Sequence, residues 1–189
     1  MKTKTILTWI IILVIIDQAI KISIHNFYGE THFDIIPSLL EFRPTFNVMH
    51  SWVNTLLNEN LGINVGLIPH VILYLLLGVL VPVYFFYFRN HFPYHKKLID
   101  SATIFLMAAI ICALIGNIIW KGGTLDYIYL KPLFVFDLKD LYIDFGIILF
   151  LIYSFKNREQ LKDQIKTRDV FLYTKNRLKG KRNKTNAST

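Results

Sequence analysis

Cysteine occurs once in these 189 residues, at Cys112, so no internal disulfide and no cysteine-based metal centre can be built. Cys112 lies within an apolar run and reads as a small core residue. The six histidines (His25, His32, His50, His70, His91 and His95) show neither His-x-x-x-His nor Glu-x-x-His spacing. Neither a metal nor a cofactor is expected. Acid is also scarce, with 13 Asp and Glu against 21 Lys and Arg. Basic residues are themselves missing between positions 25 and 65, where Arg43 stands alone.

What the chain has in abundance is apolar sequence: 53% of residues are hydrophobic and the mean hydropathy is +0.42. Four segments, 6–24, 66–88, 98–120 and 141–155, approach or reach the roughly 20 residues needed to cross a hydrocarbon core. The expected fold class is an α-helical integral membrane protein with four transmembrane helices. The N-terminus imitates a signal peptide, but Asp17-Gln18 interrupts the place for cleavage, so the first segment reads as a retained helix. Lys2 and Lys4, then Arg89, Lys96 and Lys97, then the basic stretch from Lys156 onward place both termini and the 89–97 loop in the cytoplasm. Residues 25–65 and 121–139 then face outward, although Lys121, Lys131 and Lys139 weaken the asymmetry. The organisation expected is a membrane domain over 1–156 and a basic cytoplasmic tail over 157–189.

The net charge of +8 comes largely from that tail. It reads as a solvated segment touching anionic lipid headgroups. No recognition motif accompanies the charge, so nucleic acid is not an expected partner. The Asn183 and Asn186 glycosylation patterns lie on the cytoplasmic side and are discounted.

In the first outer loop, the stretches around Phe33–Ile36 and Leu39–Arg43 alternate weakly and are bounded by Pro37 and Pro44, as edge strands would be. A small extracytoplasmic sheet is expected there. Trp52, Phe27, Tyr28, Phe33, Phe42 and Phe46 suit an interfacial belt. Trp52–Leu61 fits a short surface helix ended near Gly62, and a kink is expected at Pro82 in the second span. Gly122-Gly123 marks a turn. Asp137 is an N-cap for the fourth helix, with Asp140 in its first turn.

Asp126 and Asp140 flank the last two spans at one membrane face. Ionisable groups beside lipid are expensive and point to function. Two close carboxylates cannot both ionise freely, so the pair holds one proton near neutrality. Such a pair can deprotonate water and protonate a leaving amine, which is peptide hydrolysis without metal, serine or thiol. The plain alternatives are a helix-dipole aspartate at 140, worth ~0.3–1 kcal/mol, and a turn aspartate at 126. Asp144, one turn from Asp140, is a third site carboxyl or a partner of Lys21. Asp17 and Lys21 are i, i+4 and either neutralise each other or form a polar wall. Asn117 is helix–helix glue or a substrate ligand.

Asp17-Gln18-x-x-Lys21, Asn47 with Trp52 five residues on, Gly116-Asn117, Gly122-x-x-x-Asp126-Tyr127-Ile128 and Phe136-x-x-x-Asp140 occur in that order. Over about residues 15–144 this resembles the lipoprotein signal peptidases (signal peptidase II), aspartic peptidases of the bacterial inner membrane. Their motifs include Asp-Gln-x-x-Lys, Asn-x-Gly-x-Ala-Phe, Gly-Asn-x-x-Asp-Arg, Gly-x-Val-Val-Asp-Phe and Phe-Asn-x-Ala-Asp. The resemblance implies catalytic aspartates at Asp126 and Asp140, with Asp17, Lys21, Asn47 and Asn117 in support. It also implies an outer β-cradle, a lipid-modified prolipoprotein as substrate and cleavage before a diacylglyceryl-cysteine. The departures are Trp120-Lys121 for Asp-Arg, Met49 for Gly, Ser51-Trp52 for Ala-Phe, Asp137 for Asn and a shortened loop before Asp126. They suggest a divergent branch with a restricted substrate set. A monomer is expected. The competing readings are a non-catalytic relative that binds lipidated peptide and a small ion-coupled transporter using Asp17, Asp140 and Asp144.

Overall fold

The computed structural model describes residues 1–92, 94–120 and 123–164, together with Tyr173 and Lys175. The chain runs α1 (Thr3–Phe27), β1 (Phe33–Ile36), β2 (Leu40–Asn47), α2 (Trp52–Leu61), α3 (Leu67–His91), α4 (Lys96–Ile119), β3 (Thr124–Leu130), β4 (Phe134–Phe136), α5 (Leu138–Lys156) and α6 (Arg158–Gln164). Lys121, Gly122, the glycosylation patterns and most of the basic tail lie outside the described residues, as does the side chain of Trp52.

Among the described residues, three helices, α1, α3 and α4, are long and apolar enough to cross a membrane. The chain is a multi-pass membrane protein. The fourth expected span, α5, has 19 residues and starts three positions earlier than its apolar run. It turns Phe145, Ile147, Ile148, Leu151 and Phe155 outward, as α3 does with Ile68, Ile72, Leu75 and Val79.

α4 is the central helix, packed by α1, α3 and α5. Most of its buried positions are small (Ala102, Ala108, Ala109, Cys112, Ala113 and Gly116), beside Ile99, Asp100, Ile104 and Asn117. Small residues let membrane helices approach closely, because packing rather than water exclusion drives their association. Gly146 on α5 is part of the same fit, since a Cβ there would come within 2.6 Å of Leu106. Aromatic rings from Phe85, Phe88, Phe92 and Tyr153 fill the end of the bundle near Arg89.

At the other end the segments that follow α1 and α4 join in one antiparallel sheet, ordered β1-β2-β3-β4. The two strands expected in residues 25–65 are present, and β3 and β4 from the segment after α4 extend the sheet beyond them. β2 is an interior strand, and Pro44 lies within it rather than bounding it. The β2–β3 register shifts between Phe42 and Thr45, which is where a strand tolerates a residue with no N–H to donate. The surface helix α2 is found as expected. The Ser51 side chain caps its start and Gly62, at φ +66°, ends it in the left-handed conformation that glycine adopts readily.

Candidate active site

Two elements deliver the central carboxylates. Asp126 comes from β3, opposite Thr45 of β2, and is therefore a strand residue rather than the turn aspartate considered from sequence. Gly123 makes this register possible. It sits at φ +96°, and a Cβ there would fall 2.2 Å from the Asn47 carbonyl oxygen. Only a residue without a side chain lets the start of β3 lie so close to the end of β2. Asn47 consequently reaches Asp126, its side-chain amide donating to Oδ2 at 3.2 Å.

Asp140 comes from the first turn of α5, fixed by a reciprocal capping box. The Asp140 backbone N–H donates to Asp137 Oδ1 at 3.2 Å, and the Asp137 N–H donates to Asp140 Oδ2 at 3.1 Å. One oxygen from each of Asp126, Asp137 and Asp140 lies within 4.8 Å of the other two. Asp126 and Asp137 are buried, whereas the Asp140 side chain is 37% exposed and forms the open side of the cluster.

The space among the three carboxylates, large enough for a cation, is filled by the protein's own ammonium. Lys139 Nζ lies 3.0 Å from Asp126 Oδ1, 2.9 Å from Asp137 Oδ1 and 3.2 Å from Asp140 Oδ2. Each of its three N–H groups thus has a carboxylate partner. Lys21 Nζ in turn pairs with Asp17 Oδ2 at 2.9 Å and Asp137 Oδ2 at 2.6 Å, all three side chains being fully buried. Charge therefore alternates from α1 to the open edge: Asp17, Lys21, Asp137, Lys139, then Asp126 and Asp140.

Burial pushes the Asp126 carboxyl above its ordinary range, against the pull of Lys139. Burial acts on Asp137 in the same sense, but the flanking ammoniums of Lys139 and Lys21 overcome it and hold that carboxyl below its ordinary range. Asp126 therefore releases its proton at higher pH than an ordinary carboxyl, and Asp137 at lower pH.

Asp17, Lys21, Asn47, Asp126 and Asp140 all belong to this network. Asn117 lies one contact away. Its Oδ1 meets His50 Nδ1 at 2.8 Å, and its amide donates to the Ala113 carbonyl at 2.8 Å. The sequence reading missed His50, Ser51 and His70. Tyr74 donates to the His50 carbonyl at 3.1 Å, and Ser51 Oγ meets His70 Nε2 at 2.8 Å, so the segment after Asn47 is pinned to α3 and α4. Asp144 does not pair with Lys21, whose partners are Asp17 and Asp137; it is exposed on α5. From sequence, Lys139 reads only as a loop cation between the third and fourth apolar segments. A lysine in the first helical turn opposes the helix dipole, and that local conflict is the signal that could have marked it.

Residues 9–156 match the family described as Signal peptidase (SPase) II. The chain belongs to the signal peptidase II family. Two solved structures share its fold, each described as a bacterial membrane enzyme structure by the in meso method, one at 2.3 Å and one at 1.9 Å. The first is 19% identical with a TM-score of 0.62, covering 87% of this chain and 95% of its own. The second is 20% identical with a TM-score of 0.61, covering 82% and 95%. No curated protein matches the chain. Membership of signal peptidase II makes the protein a membrane hydrolase of the lipoprotein-processing class. The family match does not favour the binder and transporter readings. Relative to the Phe-Asn-x-Ala-Asp motif, Asp137 replaces Asn and Lys139 replaces Ala, and these two side chains pair with each other.

Proposed function

We propose that the protein is an aspartic endopeptidase that removes signal peptides from diacylglyceryl-modified prolipoproteins, with Asp126 and Asp140 as its catalytic pair. The observation that carries the reading is the convergence of the two carboxylates from β3 and α5 in a cluster open on the Asp140 side. One carboxylate takes a proton from water as it attacks the scissile carbonyl. The protonated partner polarises that carbonyl and then protonates the leaving amine. The two ionisations belong to the pair, since groups this close titrate together. Asn47 orients Asp126, and Asp17 and Lys21 hold the inner end of the charge chain. Asn117 fixes the segment that presents Asn47.

The fourth span in this reading is α5, with both termini cytoplasmic in the bacterial inner membrane and the sheet outside. Three features support the orientation. The N-terminal ammonium and Arg89 both meet the buried Asp100, so two segments assigned to the cytoplasm share one end of the bundle. Lys131 is paired with Asp34 and Glu41. Lys139 is paired within the site. These last two loop cations are therefore neutralised locally and count little toward topology. The protein acts as a monomer, with membrane lipids around it and the prolipoprotein as partner. Residues 157–189 form its cytoplasmic tail.

The test is cleavage of a diacylglyceryl-cysteine peptide by the full chain in detergent, with Asp126→Asn as control. Cleavage on the amino side of the lipidated cysteine, lost in the control, is the expected result. Equal turnover by the control would refute the assignment of the pair.

A further inference from the structure

A lysine at the second position of a helix meets the positive end of the dipole, and burying its ammonium costs several kcal/mol unless it is paired. Lys139 accepts both penalties, and the carboxylates of Asp126, Asp137 and Asp140 compensate it. Its three N–H groups are divided among three different acids, two of which are the reacting pair. Its stem is fixed by α5, and its ammonium is fixed by Asp137, which Lys21 holds from behind. The cation at the centre of the site is therefore covalently part of the protein and rigidly placed.

We propose that Lys139 is a positioning residue for the reaction, its ammonium serving as the fixed counter-charge that holds the Asp126 and Asp140 carboxylates together. The proposal rests on the reading of Asp126 and Asp140 as the catalytic pair. Its reasoning is electrostatic. Two carboxylates this close repel, and normally a shared proton relieves the repulsion. Here a cation lies within 3.2 Å of an oxygen on each, so relief does not depend on the proton alone. The pair can then lose protons at lower pH without springing apart, and the pH range of turnover lies lower than it would without the lysine. The other groups bearing on this balance are Asp137 at the α5 cap, Asp17 and Lys21 from α1, Tyr74 from α3, Tyr127 from β3 and Tyr142 on α5.

The test compares the full chain with Lys139→Gln and Lys139→Arg in detergent, using a diacylglyceryl-cysteine peptide. Turnover is recorded against pH, and carboxyl protonation is followed by the infrared C=O stretch. Removing the cation makes both carboxylates harder to ionise. Lys139→Gln should therefore move both limbs of the pH profile, and the infrared titration, upward by about one unit or more. Lys139→Arg should return them toward the parent. Unchanged limbs in Lys139→Gln, with only the amplitude reduced, would overturn the proposal. If Lys139→Gln fails to insert, the double variant Lys139→Gln/Asp137→Asn removes both members of the ion pair. Its profile should lie above that of Asp137→Asn alone, and coincidence of the two would overturn the proposal. The infrared titration separates this inference from the peptidase reading. A parent that cleaves nothing refutes the peptidase reading, while an upward infrared shift in Lys139→Gln still supports the counter-charge role and an unchanged titration overturns it.

Discussion

Both ends of the helical bundle bury aspartate, and they differ in the balance of charge. At the Arg89 end, Asp100 is 1% exposed and is met by two cations, the N-terminal ammonium and the Arg89 guanidinium. At the sheet end, Asp17, Asp126, Asp137 and Asp140 share Lys21 and Lys139 and no further cation among the described residues. Where cations outnumber acids, the carboxylate is saturated and its role is to tie α4 to α3 and the N-terminus. Where acids outnumber cations, some carboxylate must carry a proton or remain short of partners. That surplus, with one member open to solvent, is what acid–base chemistry requires.

The comparison is broken most directly at the surplus end. Asp126→Asn and Asp140→Asn should each lower turnover by about 1,000-fold or more, because neither amide can exchange the proton that the pair passes on. Circular dichroism and detergent extraction should show both variants folded and inserted. Retained turnover in either would place the chemistry elsewhere.

Asn47→Ala and Asn117→Ala come next and should separate. Asn47 donates directly to Asp126, so its loss should cut kcat by about 10- to 100-fold, as expected for removal of a charge-assisted bond worth ~1.5–3 kcal/mol. Asn117 acts through His50 and should cost less. Equal losses that merely follow protein level would make both residues structural.

Asp137→Asn sharpens the comparison from the stability side. By capping alone the change should be tolerated, since asparagine caps a helix about as well as aspartate. The structure revises that expectation, because Asp137 also pairs with Lys21 and Lys139. Each lysine keeps another carboxylate, so the cost should be about 1–3 kcal/mol, read as an earlier thermal transition in detergent. A transition unchanged from the parent would show that the cap is its whole contribution.

The smallest effects should come from Asp100→Asn and Asp144→Asn. Asp100→Asn should lower thermal stability with little change in kcat per folded molecule, because its partners lie at the far end of the bundle. Asp144 is exposed and stands outside the charge chain, so its replacement should keep at least partial activity. Loss of activity in Asp144→Asn greater than in Asp126→Asn would revive ion transport.

The features legible in the sequence were those set by neighbours along the chain. The helix cap at Asp137, the glycine end of α2 and the Asp17–Lys21 pair depend on contacts within four or five residues, and each is present. The β2–β3 pairing was not legible. It joins Asn47 to Thr124, and periodicity carries no information about which distant strand a segment will meet. Lys139 was hidden for a related reason: a single lysine between two acids reads as solvated loop charge until three carboxylates from two elements are seen to enclose it.

The central claim is that Asp126 and Asp140 act as one unit. Its most direct test is the turnover of Asp126→Asn/Asp140→Asn beside the two single variants, at equal amounts of inserted protein. The account predicts that the double variant is no slower than either single, because one substitution already removes the shared acid–base function. A double variant slower by the product of the two single losses would show that the aspartates act independently.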